Sequence, residues 1–205
     1  QLVFFVVELL GRSEAGRASG EQAGLLRLLV PIAKLITGKQ AVAVLSEVIE
    51  AFGGAGYVED TGLPLLLRDA QVLPIWEGTT NVLSLDLLGA LPAAGGIEIL
   101  QREARLLLQG VREASLLRIS ALIERTLEAA AAWLEQARQA GDSELEAGAR
   151  RFALTLGRTF ELALLARHAQ WSADNQRGSH ALAAARRFSA TPINLIAGID
   201  RNDSI

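Results

Sequence analysis

Long segments with helical periodicity alternate in this chain with short clusters of glycine, proline and serine. The segments are rich in Ala, Leu, Glu and Arg, which lose little side-chain freedom in a helix, so we predict an all-α fold. Pro31 marks a helix start or a kink, and residues 199–205 are predicted to be a frayed end. The second segment carries an apolar stripe through Ala33, Ile36, Val42, Leu45 and Ile49. The predicted helices cover residues 2–16, 21–52, 63–72, 79 or 80 to about 91, 97–110, 115–140, 143–171 and 179–189.

The clearest interruption is the Pro-Ala-Ala-Gly-Gly segment at residues 92–96. We predict a domain boundary there, between a helical bundle at residues 1–91 and a second helical domain at residues 97–205. The second domain is expected to contain an antiparallel helical hairpin. Its turn precedes Ser143, which is predicted to form a capping box with Glu146.

The charge distribution gives little support to nucleic-acid binding. The formal net charge is −3; residues 1–97 hold 6 Lys and Arg against 10 Asp and Glu, and residues 98–205 hold 14 against 13. Binding through phosphates needs clustered cations, because neutralised phosphates supply much of the affinity. The cation pairs at 150–151 and 186–187 could touch phosphates, although such pairs on helices usually face solvent.

Metal, disulfide and membrane roles are also poorly supported. The chain has no Cys, and His168 and His180 do not have the spacing that places two ligands on one helical face. The apolar segment at residues 2–10 contains Glu8 and is too short to cross a bilayer. The chain begins within a helical pattern and contains no Met, so we expect a piece of a longer protein. We also expect a soluble protein of the cytoplasm.

Three elements in a fixed order carry the functional signal. Phe-Gly-Gly-Ala-Gly-Tyr occupies residues 52–57, Leu-Pro-Leu-Leu-Leu-Arg-Asp-Ala occupies residues 63–70, and Trp-Glu-Gly-Thr-Thr-Asn occupies residues 76–81. Thr79 or Thr80 is predicted to cap a helix, which places the carboxylate of Glu77 just before its N-terminus.

Each element also has a simpler interpretation when it is taken alone. Glu77 could be an acidic residue favoured by the helix dipole, and Trp76 could belong to the core. The paired glycines could simply end a helix, and Arg68 with Asp69 could form an ion pair. The order and spacing of the three elements favour a functional interpretation.

Together these elements resemble the C-terminal helical domain of an acyl-CoA dehydrogenase. The resemblance covers residues 2–91 and is most specific at residues 50–81. It implies FAD as cofactor, an acyl-CoA thioester as substrate and Glu77 as the catalytic base that removes the α-proton. The helix dipole favours the charged carboxylate and so weakens it as a base, while desolvation by an acyl chain acts in the opposite direction.

The resemblance also assigns binding residues and an assembly. Gly78 would let substrate approach the backbone, and Thr79 and Asn81 would contact FAD. Glu50, Gly53 and Gly54 would contact the FAD of a neighbouring subunit, as relatives form homotetramers or dimers of dimers. Many relatives have Gln where this chain has Glu50, and a carboxylate near pyrophosphate must bond a hydroxyl or amide instead. The chain alone is expected to bind FAD poorly.

Within the family, residues 59–64 and the helices after Leu91 look most like the AidB-like branch. That branch suggests an alternative: a flavoprotein of the alkylation response that binds DNA through its C-terminal helices and has little dehydrogenase activity. In a third interpretation, these helices serve only in assembly, with Leu116, Ile119 and Ile123 buried between subunits. No recognisable residues indicate which acyl chain length is preferred or which electron acceptor is used.

Overall fold

The computed structural model describes residues 1–196, and these residues form helices, turns and loops without a β-strand. The all-α prediction is therefore confirmed, and residues 199–205, which were predicted to fray, lie outside the described residues. The helices are α1 (Leu2–Glu14), α2 (Gly20–Ala51), α3 (Gly54–Tyr57), α4 (Leu63–Val72), α5 (Thr80–Ala94), α6 (Glu98–Leu107), α7 (Ala114–Ala140), α8 (Asp142–Asp174) and α9 (His180–Ser189), with a 3-10 turn at Glu59–Thr61.

Helix α2 is the central helix of the first part of the chain, and the neighbouring helices pack against it. It begins with a capping box that sequence reasoning missed: the Ser19 hydroxyl accepts the backbone N–H of Gln22, and the Gln22 side chain accepts that of Ser19. The helix continues through Pro31, which is buried, so this proline does not mark a start.

Burial divides α2 into two halves. Leu28, Leu29 and Ile32 in its first half are fully buried, and of the predicted apolar stripe Ala33 and Ile36 are buried as well. The stripe members further along are only half-buried: Val42, Leu45 and Ile49. The second half of α2 therefore has an apolar side that residues 1–196 do not fully cover.

The chain reverses after α2 at Gly53. Its φ of 57° lies in the left-handed region, which glycine adopts without a Cβ clash. Gly56 then passes so close to α2 that a Cβ there would lie 2.1 Å from the carbonyl oxygen of Ile49. Helix α4 returns along α2 until the backbone of Leu73 lies beside Gly38.

Helix α5 continues this antiparallel course along the first half of α2. The Arg27 guanidinium donates to both oxygens of Asp86, at 2.6 and 3.0 Å, and this hydrogen bond keeps the pKa of Asp86 below its usual value. The helix includes Pro92 and ends only where Gly95 takes a φ of 96°. Its predicted end near Leu91 was wrong, because Gly95 rather than the proline stops the helix.

Helices α7 and α8 form the antiparallel hairpin expected from the sequence. The turn is made by Gly141, with φ 111°, and the rings of Trp133 and Phe152 pack across the hairpin with centroids 5.1 Å apart. The predicted capping box was wrong: α8 begins at Asp142 without a side-chain cap, so Ser143 already lies inside the helix.

Helix α8 also packs against α2 and so connects the two parts of the chain. The backbone of Gly157 lies against Ile32 and Ile36, and the Gln40 amide donates to the Glu161 carboxylate at 2.8 Å. Burial raises the pKa of Glu161. One continuous apolar core includes residues on both sides of the segment 92–96. The division into domains at residues 1–91 and 97–205 stays a prediction.

The contact at Gly157 gives a first prediction. A Cβ at this position would lie 2.4 Å from Cγ1 of buried Ile36, whereas a Cβ at exposed Gly89 would meet nothing within 4 Å. Both glycines are helical, so the gain in helix propensity is common to both alanine variants. In chemical unfolding we expect Gly157→Ala to be less stable than Gly89→Ala by about 1–3 kcal/mol. Equal stabilities would contradict the close α2–α8 packing.

The apolar residues of the assembly interpretation lie inside this chain. Leu116, Ile119 and Ile123 are 0–4% exposed and belong to the core beneath α7. The interpretation that they pack between subunits was wrong, because α8 and α9 of the same chain already cover α7.

Helix α2 is long and apolar enough to cross a bilayer, and α5 with α6, bent by 90°, pass the same test as a pair. However, 44% of the most apolar window of α2 is buried within the described protein. Core helices of soluble proteins have the same composition, so a location outside membranes stays a prediction.

Candidate active site

The site predicted at Glu77 is a short loop between α4 and α5. Helix α4 ends at Val72, whose carbonyl oxygen accepts the backbone N–H groups of Ile75 and Trp76 at 2.9 and 3.0 Å. Thr79 is the N-cap of α5, and its hydroxyl accepts the backbone N–H of Val82 at 3.5 Å. The predicted helix start is therefore confirmed, with Thr79 rather than Thr80 as the cap.

The backbone of this loop adopts an uncommon conformation at two consecutive residues. Glu77 has a φ of 56° and Gly78 a φ of 113°. Among residues 1–196, the only other non-glycine residue with positive φ is Gln176. Non-glycine residues in this region are strained by about 1–3 kcal/mol and tend to occur at functional sites. A Cβ at Gly78 would also lie 2.9 Å from the Leu83 side chain.

Lys34 of α2 fixes the loop through hydrogen bonds to its backbone. Its Nζ donates to the carbonyl oxygens of Leu73 and Trp76, at 2.5 and 2.9 Å. The second bond fixes the residue that directly precedes Glu77. Sequence reasoning missed Lys34, because the two elements it joins are far apart in the chain and carry no shared motif.

The surface around Glu77 is exposed and apolar. Glu77 itself is exposed, and Trp76 is 72% exposed, so the interpretation of Trp76 as a core residue was wrong. The apolar surface is formed by Val72, Leu73, Ile75 and Trp76, all large and at least 40% exposed. Contiguous apolar surface of this kind indicates a binding or interaction surface.

The other predicted site residues form two groups. Gly78, Thr79 and Asn81 lie beside Glu77, and both Thr79 and Asn81 are exposed. Glu50, Gly53 and Gly54 lie together at the far end of α2, also exposed, and neither glycine has an atom within 4 Å of its Cβ position.

The two groups are far apart in this chain. The Glu77 loop is hydrogen-bonded to Lys34. The turn at Gly53 and Gly54, called the glycine turn below, follows Ala51 at the end of the same helix. At 1.5 Å of rise per residue, this part of α2 is about 25 Å long. The structure therefore does not bring all the predicted site residues together.

Near the glycine turn lies a largely apolar cavity of about 560 Å³, lined by residues that include Ile49, Tyr57 and Leu67. Arg68 at its edge donates to both oxygens of Glu59, at 2.9 and 3.0 Å, and this hydrogen bond lowers the pKa of Glu59. Arg68 therefore does form a surface ion pair, as in the simpler interpretation, but with Glu59 of the preceding turn and not with Asp69.

Over residues 1–196, no three His, Cys, Asp or Glu side chains lie close enough together to hold a metal ion. The ring of His168 instead stacks on Trp171, with ring centroids 5.7 Å apart.

The contacts of Lys34 give a second prediction. In Lys34→Met the two bonds to the loop are lost while the length of the side chain is nearly kept. We expect amide hydrogens of Ile75 and Trp76 to exchange at least about tenfold faster, because bonds to charged groups contribute about 1.5–3 kcal/mol. Hydrogen exchange with mass spectrometry measures this. Lys39→Met, at an exposed lysine of the same helix, is the control. Unchanged exchange in Lys34→Met would contradict the holding role.

Comparison with known families identifies the kind of protein to which this fold and site belong. Residues 6–91 match the model described as "Acyl-CoA dehydrogenase, C-terminal domain", and residues 98–205 match that described as "Acyl-CoA dehydrogenase 11 C-terminal domain-like". The chain belongs to the acyl-CoA dehydrogenase family.

Individual relatives agree with this identification. "Acyl-CoA dehydrogenase family member 11" of Caenorhabditis elegans is 46% identical over 174 residues, which cover 82% of this chain and 28% of that protein. "Putative acyl-CoA dehydrogenase AidB" of Escherichia coli is 38% identical over 95 residues, which cover 46% of this chain and 18% of that protein. The crystal structure of C. elegans ACDH-11 in complex with C11-CoA matches with a TM-score of 0.86 and 40% identity, over 94% of this chain and 33% of that chain. The matched residues thus cover between 18% and 33% of the length of these relatives.

Proposed function

We propose that this chain forms the base-bearing part of an FAD-dependent acyl-CoA dehydrogenase, with Glu77 as the catalytic base. The observation that carries the proposal is the backbone of Glu77, which is held in the left-handed region on an exposed apolar surface. A strained residue maintained by two lysine bonds is unusual for a solvated surface glutamate. The similarity to a solved acyl-CoA complex adds support.

In the proposed reaction the Glu77 carboxylate takes a proton from Cα of the thioester and becomes a carboxylic acid. The C–H electron pair forms the Cα–Cβ double bond as hydride leaves Cβ, and FAD, when bound, supplies the acceptor for that hydride. The apolar surface formed by Val72, Leu73, Ile75 and Trp76 would exclude water around the carboxylate, which makes it a stronger base. The backbone of Gly78 would face the thioester, where negative charge develops.

The residues present fit a flavin shared between two copies of the chain. The Thr79 hydroxyl accepts one hydrogen bond and can still donate another, and the Asn81 amide is exposed beside Glu77. These two side chains would therefore face polar groups of FAD. Glu50, Gly53 and Gly54 form an open backbone turn at the far end of α2, suited to close approach of a cofactor. The separation of about 25 Å along α2 favours a turn that serves a neighbouring subunit's cofactor.

A homo-oligomer accords with the uncovered second half of α2. Val44 on that half is 59% exposed, and Phe52, directly after the helix and before Gly53, is 61% exposed. Burying them against another copy would remove apolar surface from water and bring the turn to its cofactor. We propose this half of α2 as part of the assembly surface, in a protein of the cytoplasm.

The proposal is tested with the full-length protein. Under anaerobic conditions, acyl-CoA should bleach the absorbance of the bound flavin. This 205-residue chain alone should be colourless and inactive, because one wall of a site cannot offset the cost of immobilising a large cofactor. Flavin retained in stoichiometric amount by the chain alone after dialysis would contradict this account. The DNA-binding alternative stays a hypothesis, and the physiological electron acceptor is not assigned.

A further inference from the structure

A groove of about 300 Å³ lies between α7 and α9, on the part of the chain that the proposed reaction does not use. Its sides carry three arginines, Arg118 and Arg125 from α7 and Arg186 from α9. Its floor is apolar, with Ile119 buried and Leu122 half-buried. Three arginines therefore line one concave surface.

These arginines are not used in ion pairs within the described part of the chain. The ion pairs found among residues 1–196 use five other arginines: Arg12, Arg27, Arg68, Arg102 and Arg112. The acid near Arg118 is Glu113, and its carboxylate already accepts the backbone N–H groups of Ser115 and Leu116 at 2.8 and 2.9 Å, which caps α7. The groove thus has an excess of positive charge.

Acidic residues of α7 lie on its other flank. Glu124 and Glu128 line a separate cleft against α6, together with Arg105. Helical spacing explains the division, because positions 118, 122 and 125 share one face of α7 while 124 and 128 share another. An anion in the groove between α7 and α9 would therefore contact arginines and would not face the carboxylates of Glu124 and Glu128.

The spacing of the arginines indicates the class of anion. Arg118 and Arg125 are two helical turns apart, about 10 Å along α7, a spacing that suits an anion with more than one phosphate group. Arginine binds phosphate oxygens through its planar fork of N–H donors. Nucleic acid would need an extended basic surface, and residues 98–205 have a net charge of only +1. We propose that this arginine groove binds a small oligophosphate-bearing molecule, with Arg118, Arg125 and Arg186 each contacting its phosphates.

The test uses inorganic tripolyphosphate as the probe and isothermal titration calorimetry of this chain at 150 mM NaCl. Wild type should bind, and Arg118→Gln/Arg125→Gln should bind at least about tenfold more weakly, because each lost charge-assisted bond costs about that factor. The matched control is Arg138→Gln/Arg150→Gln, which removes the same charge from exposed positions of α7 and α8 that do not line the groove. Its affinity should stay within about twofold of wild type. Circular dichroism is used to check that both variants fold.

Three results would overturn the proposal. The first is absence of tripolyphosphate binding to the folded wild-type chain. The second is an equal loss in the control variant, which would show that net charge alone attracts the anion. The third is selective loss of duplex DNA binding in the groove variant while tripolyphosphate neither binds nor competes, which would assign the groove to nucleic acid. None of these outcomes depends on whether Glu77 is a catalytic base.

Discussion

Glu77→Gln in the full-length protein is expected to slow acyl-CoA-dependent flavin bleaching at least about 100-fold. A general base contributes about 10²–10⁴-fold to a rate, and glutamine keeps the shape of the side chain but cannot accept the α-proton. Stopped-flow absorbance under anaerobic conditions measures the effect. Affinity for acyl-CoA should change little, because the surface formed by Val72, Leu73, Ile75 and Trp76 is untouched.

The matched control for this prediction is Glu144→Gln. Glu144 is also an exposed acid near a helix N-terminus, in the first turn of α8, so the variant loses the same charge in a similar setting. Its bleaching rate should equal that of wild type. Bleaching by Glu77→Gln at the wild-type rate would remove Glu77 from the proposed role, and equal slowing in both variants would indicate a general effect of charge.

Phe152→Ala is expected to lower the free energy of unfolding of this chain by about 3–5 kcal/mol. Phe152 is fully buried where α8 meets α7, and its ring packs on Trp133, so truncation leaves a cavity in a rigid hairpin. The melting temperature should fall by more than about 6 °C for a chain of this size. Circular dichroism during thermal and guanidinium unfolding measures both quantities.

Phe4→Ala provides the comparison for this second prediction. Phe4 is 81% exposed on α1, so the same chemical change should alter stability by no more than about 0.5 kcal/mol. A loss below 1 kcal/mol in Phe152→Ala would mean that the hairpin is less tightly packed than described. A comparable loss in Phe4→Ala would mean that α1 is covered when the chain is in solution.

Most helices could be predicted from the sequence because apolar periodicity and glycine placement determine them locally. Residues 63–72 were predicted as the helix that became α4, with Pro64 in its first turn, where a missing N–H costs nothing. Capping was less predictable, since several nearby residues compete for each helix end. Ser19 with Gln22 forms a capping box, whereas Ser143 with Glu146 does not because Gly141 lets α8 begin earlier.

The site was only partly predictable for a different reason. The motif placed Glu77, Gly78 and Thr79 in order before α5, but it did not reveal the positive φ of Glu77 or its maintenance by Lys34. Both features arise from packing between elements that are distant in the chain. Trp76 shows the same limit: apolarity predicted burial, while its position on an open surface depends on which parts of a protein cover it.

The most direct test of the account is the exchange of hydrogen at Cα of the substrate. The full-length protein is incubated anaerobically with acyl-CoA in D₂O, and mass spectrometry follows deuterium in the recovered thioester. The account predicts incorporation at Cα with wild type and none above background with Glu77→Gln, although both bind acyl-CoA. Incorporation by Glu77→Gln at the wild-type rate would show that another group removes the proton and would contradict the central claim.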